Sequence, residues 1–451
     1  MLKGEDVLKK VGKIIDHKQH AIAISEAVFP QVFASTLEFN APARGMWNIV
    51  HTGMLIPESH QIFVCAQGCL RGVILTAAEM NAMDRMSFVT VQENDLFDGS
   101  MEERIIEGVS SILQQMAKQP PAVLLFLSCV QLFAGCDIPS VYCELRKRFP
   151  EIDFVECLMH PTMRKAALTP DAFMRKQLYA ALDTNSPIEK RSVGILGNDR
   201  ATAESGELLQ ILRNNGFTVR DINYCQTYEE YKKLASCEYF IAYHTVAKAG
   251  AEALARRLQR KFLYMPLSYD LAEIEKAYDD LTTMLELQKI DFSRERAAAE
   301  DALRSTAAKL TNTPIAIDYT ATLRNLSLAR LLLNHNFNVK RIYTDVVIGE
   351  EKADFEYLQK NHPDLMLYPT LHPSMRFAVA NVGSGDKFLA IGQKAACYTG
   401  TRHLVNIVSG GGWYGFDGIT QMCNAMQSAM ENLTDVESVI QLKGWGCASC
   451  L

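Results

Sequence analysis

The run Val123-Leu124-Leu125-Phe126-Leu127-Ser128-Cys129-Val130-Gln131-Leu132-Phe133-Ala134-Gly135-Cys136 decides how this chain folds. With Ala122 it forms the longest apolar stretch, 15 residues, short of the roughly 20 that a membrane-spanning helix needs. It follows Pro120-Pro121 and is broken by Ser128 and Gln131. A buried parallel strand that enters a cysteine- and glycine-containing loop fits it better.

The same plan recurs on both sides of it. Gln61-Ile62-Phe63-Val64 reads as a strand, followed by Cys65-Ala66-Gln67-Gly68-Cys69 and a helix from about Arg71 to Met80. Ser87 to Val91 is the next strand. A helix then opens at Ser100, whose hydroxyl can cap it while Glu103 completes a capping box. Ile105, Ile106, Val109, Ile112, Leu113 and Met116 fall on one face of that helix. A further helix starts near Ser140, and Asp153 to Cys157 is a fourth strand. Two later units echo one another. Val193-Gly194-Ile195-Leu196 leads through a helix to Asn215-Gly216-Phe217, and Ile315-Ala316-Ile317-Asp318 leads through another to His335-Asn336-Phe337. Alternation of this kind is the pattern of parallel α/β domains. It predicts three Rossmann-like parallel-sheet domains around a central cleft, over residues 1–185, 186–308 and 309–440, with a C-terminal tail at 441–451. In such sheets ligands sit beyond the carboxyl ends of the strands.

Composition bounds the function. The 451 residues are 48% hydrophobic and 22% charged, as in ordinary globular proteins of two or three domains at roughly 100–200 residues each. A formal charge of −6 offers no basic field for nucleic acid or an anionic membrane. Met1 to Asp16 mixes Lys with Asp and Glu, so no signal peptide is drawn there and a cytoplasmic location is expected. Twelve cysteines in a reducing compartment are then not expected to form disulfides.

The cysteine loops carry the chemistry. Cys65/Cys69 and Cys129/Cys136 follow two strands of one sheet, where four sulfurs can converge. A helix N-terminus beside each pair favours the thiolate, the form that binds metal, and glycine lets the backbone pass close to a bulky ligand. Thiolates without histidines suit iron–sulfur or zinc, and neither pair has the two-residue spacing of a zinc knuckle. The competing reading is of small buried residues in crossover loops. Cys447-Ala448-Ser449-Cys450 is either a pair of cluster ligands, a redox dithiol or a tail without a role. Cys143, Cys157, Cys225, Cys237, Cys397 and Cys423 are read as packing residues.

Two histidine motifs echo each other, His160-Pro161-Thr162-Met163-Arg164 and His372-Pro373-Ser374-Met375-Arg376. At strand ends, His372 and Arg376 would face an anionic ligand; alternatively His-Pro simply opens a helix. His244 is followed by Lys248 one helical turn on. The chain has no G-x-x-x-x-G-K-[ST] loop, so ATP chemistry would belong to a partner.

Four stretches of this chain resemble the nitrogenase component 1 superfamily, the α/β-subunit type shared by nitrogenase, dark-operative protochlorophyllide reductase, cofactor scaffolds and related reductases. They are the loop closing at Cys69, the segment Val91-Gln92-Glu93-Asn94-Asp95-Leu96-Phe97-Asp98-Gly99, the loop Ser128-Cys129 to Gly135-Cys136-Asp137-Ile138, and Trp413-Tyr414-Gly415-Phe416-Asp417-Gly418-Ile419. Cys136 stands where the family usually has an acidic residue.

The resemblance implies an iron–sulfur cluster, [4Fe–4S] or a related larger one, between two similar or identical subunits, with Cys69 and Cys129 as ligands. The family's other common N-terminal ligand falls near Met46 or Trp47, where no cysteine stands, leaving Cys65 and Cys136 as the spare thiols. The family's cofactor-binding cysteine falls at His244, and only this resemblance makes His244 with Lys248 a candidate for substrate or cofactor binding. Its cofactor histidine falls at Val405, with His403 two positions away. These departures imply a subunit that does not reduce dinitrogen in the known manner. What the resemblance implies instead is the catalytic component of a nitrogenase-like reductase. It would take electrons from an ATP-dependent iron–sulfur reductase protein and deliver them to a substrate or further metallocofactor. The alternatives are a scaffold for assembling a metal cofactor or tetrapyrrole, without turnover of its own, and a cluster-free binding protein of the same fold.

Overall fold

The computed structural model describes residues 20–33, 41, 43, 45, 48–159, 168–373, 375 and 387–439. In chain order the strands are β1 (Ile22–Ala23), β2 (His60–Ala66), β3 (Met86–Val91), β4 (Ala122–Ser128) and β5 (Asp153–Met159), then β6 (Glu189–Ile195), β7 (Thr218–Asp221), β8 (Cys237–Ala242) and β9 (Lys261–Tyr264), and finally β10 (Ile315–Asp318), β11 (Val339–Tyr343), β12 (Met366–Tyr368), β13 (Leu389–Ile391) and β14 (Leu404–Val405). They form three sheets, ordered β3-β2-β4-β5, β7-β6-β8-β9 and β1-β12-β11-β10-β13-β14. Every pairing is parallel except that of β1 with β12. The mixed α/β fold with three parallel-strand sheets is the architecture that the alternating sequence pattern predicts.

The chain divides into two compact units. One comprises 46–202 and 209–266 and carries the first two sheets; the other comprises 1–45, 203–208 and 267–451 and carries the third.

In the unit of the first two sheets, β4 is buried along its whole length, because parallel sheets are covered on both faces by their crossover helices. One face of the first sheet presents Ile62, Val64, Val123, Leu125 and Leu127 to the helices Met101–Gln115 and Ile138–Arg148. Ile105, Val109 and Leu113 meet that face, as their spacing predicts. Ser100 directly precedes this helix, but its hydroxyl makes no capping bond: Ser100 holds φ −97°, ψ 19° rather than the extended backbone that turns an N-cap side chain toward the first amides. The other face presents Phe63, Cys65, Leu124 and Phe126, and its core continues through Tyr228 and Tyr231 to Phe240 and Ala242 of the second sheet. The Phe63 and Phe126 rings stack there at 4.2 Å.

In the other unit, the third sheet packs around Ala316, Tyr343, Tyr368, Ala390 and Tyr398. The helices Leu271–Met284, Ser293–Lys309 and Gly415–Glu431 belong to it. Gln427 ties the last two together, its Nε2 donating to Thr306 Oγ1 at 2.6 Å. Among the described residues no helix is long and apolar enough to cross a membrane.

Candidate metal centre

In an open parallel sheet the strand order reverses at one point, and the crevice beyond the carboxyl ends there is where ligands bind. In the first sheet that point lies between β2 and β4, in the second between β6 and β8, and in the third between β10 and β13. Cys65 lies in β2, Cys69 in the first turn of the helix Gln67–Glu79 that follows it, and Cys129 is the first residue after β4. Three of the candidate thiols therefore stand at the switch point of the first sheet.

Their environments differ. Cys65 is buried, Cys129 half-buried and Cys69 exposed. Burial pushes the Cys65 thiol up to about 12, and the neighbouring Cys69 and Cys129 add to the shift. Free of metal, Cys65 therefore keeps its proton at neutral pH. The Cys129 turn is fixed from below by Gln131, which is fully buried. Its Oε1 accepts from Ser128 N at 2.9 Å and from Ser128 Oγ at 2.7 Å. Its Nε2 donates to the Val64 carbonyl, next to Cys65, at 3.0 Å. Nothing in the spacing singles out Gln131; its signal is a polar residue inside an apolar run, three positions after a serine.

The fourth thiol of the two loops does not join them. Cys136 packs against the opposite face of the first sheet, with Ile62 and Val64, whereas Cys65 lies on the face of Phe63 and Phe126. Burial raises the Cys136 thiol to about 12, with Glu102 and Asp137 beside it adding to the effect. The turn responsible is Gly135, at φ +69°, which reverses the chain after the short helix Cys129–Phe133. The expectation that the two loops gather four sulfurs is thus not met: Cys136 stands on the other face of the sheet, and Cys65, Cys69 and Cys129 share one edge without forming a metal-holding group. Cys143 is a second correction: it is exposed on the helix Ile138–Arg148 rather than packed. Cys157, Cys237 and Cys423 are buried, and Cys225 and Cys397 half-buried.

Exposed apolar side chains flank the thiols along the same edge. Leu96 and Phe97 end the short helix after β3, and Leu132 and Phe133 end the one after β4. Phe97 is 85% exposed and Phe133 77%. These side chains leave exposed apolar surface on the loops that follow the two strands flanking β2.

A thiolate-ligated cluster fits this donor set in kind, since the soft donors at the switch point are all sulfur. Among the described residues, no group of three His, Cys, Asp or Glu side chains is close enough to hold a metal ion.

The other two switch points differ. At the second, His244 is buried just beyond β8 and precedes the turn Thr245–Ala247. Behind it Asn198 Nδ2 donates to Asp221 Oδ2 at 3.1 Å and to Tyr243 Oη at 2.8 Å, a polar network with no sequence signature. Lys248 opens the next helix and is exposed, with Nζ 4.6 Å from the centre of the Tyr264 ring. The third switch point is filled by its own side chains. Asp318 accepts from Thr320 N and Ala395 N, both at 2.6 Å, and Lys394 is fully buried beside it, 5.4 Å from the Tyr319 ring centre. His372 lies beyond β12, away from that point, and stacks on His20 at 4.4 Å. Val405 is buried in β14, and His403 Nδ1 donates to the Ala429 carbonyl at 2.9 Å. Arg376, Cys447, Cys450, Met46, Trp47 and the motif at 160–164 lie outside the described residues.

The fold and this edge define a parallel α/β protein with three thiols along the edge where such sheets bind ligands. The sequence model of the nitrogenase component 1 type oxidoreductases matches residues 50–367, more than half of the chain. The chain belongs to that family. A solved structure of nitrogenase Cp1 at pH 6.5 superposes with a TM-score of 0.65 at 11% identity, covering 90% of this chain and 97% of that one. Nitrogenase Cp1 at pH 5 gives 0.57 at 13% identity, covering 91% and 94%. At such identities the likeness is one of fold. No curated protein sequence matches the chain.

Proposed function

We propose that this chain is the catalytic-component subunit of a nitrogenase-like reductase, holding an iron–sulfur cluster, [4Fe–4S] or related, at the carboxyl edge of its first sheet. The observation that carries this reading is the placement of Cys65, Cys69 and Cys129 along the edge at the switch point between β2 and β4. Leu96, Phe97, Leu132 and Phe133, exposed on either side of them, support it. A similar or identical subunit covering that edge would bury the phenylalanines and bring the remaining ligands. The cluster, when bound, takes up and releases single electrons.

The chain's own residues prepare the site. Cys69 and Cys129 would hold the cluster through their Sγ atoms. Cys65, whose thiol is raised by burial, would be the third thiol available to hold it. Gln131 fixes the Cys129 turn against β2, so that two of the sulfurs sit on one rigid pair of strands. The electron donor is a separate ATP-hydrolysing iron–sulfur protein, in keeping with a chain that has no phosphate-binding loop of its own. His244 and Lys248 at the second switch point would be the contacts of a substrate or further metallocofactor that receives the electrons. His372 and Arg376 are the weaker pair, and Cys447 and Cys450 candidate ligands of a second cluster.

The test is anaerobic purification of the chain, alone and with the subunit encoded beside it, followed by iron and sulfide analysis and EPR of the reduced form. About four irons per cluster, as for a cubane, lost in Cys69→Ser and Cys129→Ser, is the expected result. A folded, iron-free protein from both preparations overturns the proposal.

A further inference from the structure

Beyond the thiol edge, the unit of the first two sheets contains a cavity of about 710 Å³. It lies at the opposite ends of the same strands. His60 at the start of β2, Arg85 just before β3 and Pro121 just before β4 line it, and Ile222 and Asn223 beyond β7 close it. This size falls within the range of small-molecule pockets, about 300–1,000 Å³, which pair largely apolar walls with a few fixed polar groups. The walls here are Met54, Leu55, Met116 and Ile222.

The fixed polar group is Arg85. Its Nε donates to the Ser59 carbonyl at 3.1 Å, its Nη1 to the Met54 carbonyl at 3.4 Å, and its Nη2 to the Ile56 carbonyl at 2.6 Å and Ser59 Oγ at 3.0 Å. All four partners are neutral, and among the described residues no carboxylate stands within ion-pair distance of the guanidinium. His60 on the same wall shares a 2.8 Å hydrogen bond with Ser87 Oγ; burial, and then the Arg85 charge, lower its pKa to about 4, so it is neutral. Glu58 is spoken for: its Oε2 accepts from Tyr228 N at 3.0 Å, and its Oε1 lies 4.0 Å from Lys118 Nζ at the rim. Asp84, on the same turn as Arg85, also lines the cavity and acts on the guanidinium electrostatically, but it is exposed to solvent and makes no ion pair with it. Arg85 is thus a half-buried cation held by four neutral acceptors beside apolar walls, with the Asp84 charge next to it only partly offsetting its own across solvent.

We propose that this cavity binds a small organic anion, its carboxylate or phosphate group facing Arg85 and its apolar body lying against Met54, Leu55, Met116 and Ile222. The site is separate from the thiol edge and does not depend on a cluster being bound. Lys118, exposed at the rim, adds a second positive charge along the way in.

The experiment is isothermal titration of the full chain with 1-naphthoate, with its neutral counterpart 1-naphthalenemethanol, and with inorganic phosphate as a head group without an apolar body. Saturable 1-naphthoate binding, at least tenfold tighter than that of either other probe, is expected. Ala117→Trp, an exposed rim position that would narrow the cavity, should abolish it, and Lys118→Glu should weaken it severalfold. Arg85 also holds the carbonyls of the 54–59 turn, so its substitution would confound folding with binding and is not used. No saturable binding of 1-naphthoate, equal affinity for the alcohol, or binding unchanged in Ala117→Trp overturns the proposal.

Discussion

Gln131 donates to the Val64 carbonyl across the gap between β4 and β2, at 3.0 Å, and so joins the two loops that carry the thiols. The same side chain accepts from the Ser128 amide and hydroxyl. Replacing Gln131 by Leu strands a buried carbonyl and a buried amide, each costing about 1–3 kcal/mol. We expect Gln131→Leu to lower the unfolding free energy by about 2–4 kcal/mol in urea denaturation, and to lower iron content in the anaerobic preparation. An unchanged denaturation midpoint would show that the clamp carries no weight.

Thiol accessibility should follow burial. In metal-free protein, Cys69 and Cys143, both exposed, should react with iodoacetamide under native conditions. Cys65, buried and raised to about 12, should react only after denaturation, since the thiolate is the nucleophile. Peptide mass spectrometry reads this directly. Cys136→Ala, a change on the opposite face of the sheet, should leave the iron content of the wild type unaltered.

One carboxyl should make stability depend on pH. Glu207 is raised to about 7, chiefly by burial, while its Oε1 accepts from Asp417 N at 2.8 Å and Tyr278 Oη donates to its Oε2 at 3.4 Å. A carboxyl whose folded pKa is raised stabilises the fold fully below its unfolded value, near 4.5, and that stabilisation is lost as pH rises through 7. Glu207→Gln should therefore remove up to about 3 kcal/mol of decline between pH 4.5 and 7, measured by denaturant titrations at each pH. A variant with the same slope as the wild type would contradict this assignment.

Gly392 holds φ +108°, and a Cβ there would lie 2.4 Å from Asp318 Oδ2. Gly392→Ala combines a strained backbone with displacement of a buried carboxylate that caps the helix Gln393–Thr399. It should cost about 3 kcal/mol or more, seen as a lower midpoint in thermal or urea unfolding.

Much of the architecture was legible because buried parallel strands are short, continuous and apolar. Ile315–Asp318 matches its predicted strand, and Ile105, Val109 and Leu113 meet the core as their spacing requires. The thiols of β2 and β4 were legible for the same reason, since residues just past a buried strand lie at its carboxyl end. Cys136 was not. Its direction depends on a left-handed glycine at the end of a five-residue helix, and chain separation says nothing about that turn. Gln131 and the Asn198–Asp221–Tyr243 network were also hidden, because each is made by residues distant in sequence. The exposure of Phe97 and Phe133 was hidden too: in a string of letters, an apolar residue near a strand end looks like core.

Those two phenylalanines also govern how the chain behaves before it meets anything. Water surrounds most of each ring, and the rings end two short helices that stand one strand apart from β2 along a single sheet edge. Chains made in excess of whatever covers that edge will find each other instead. Self-association will rise with concentration and ease when Phe97 and Phe133 are both changed to Ser. If a second subunit covers that edge, as proposed, yield on overexpression becomes a question of stoichiometry, and co-production of that subunit is the remedy.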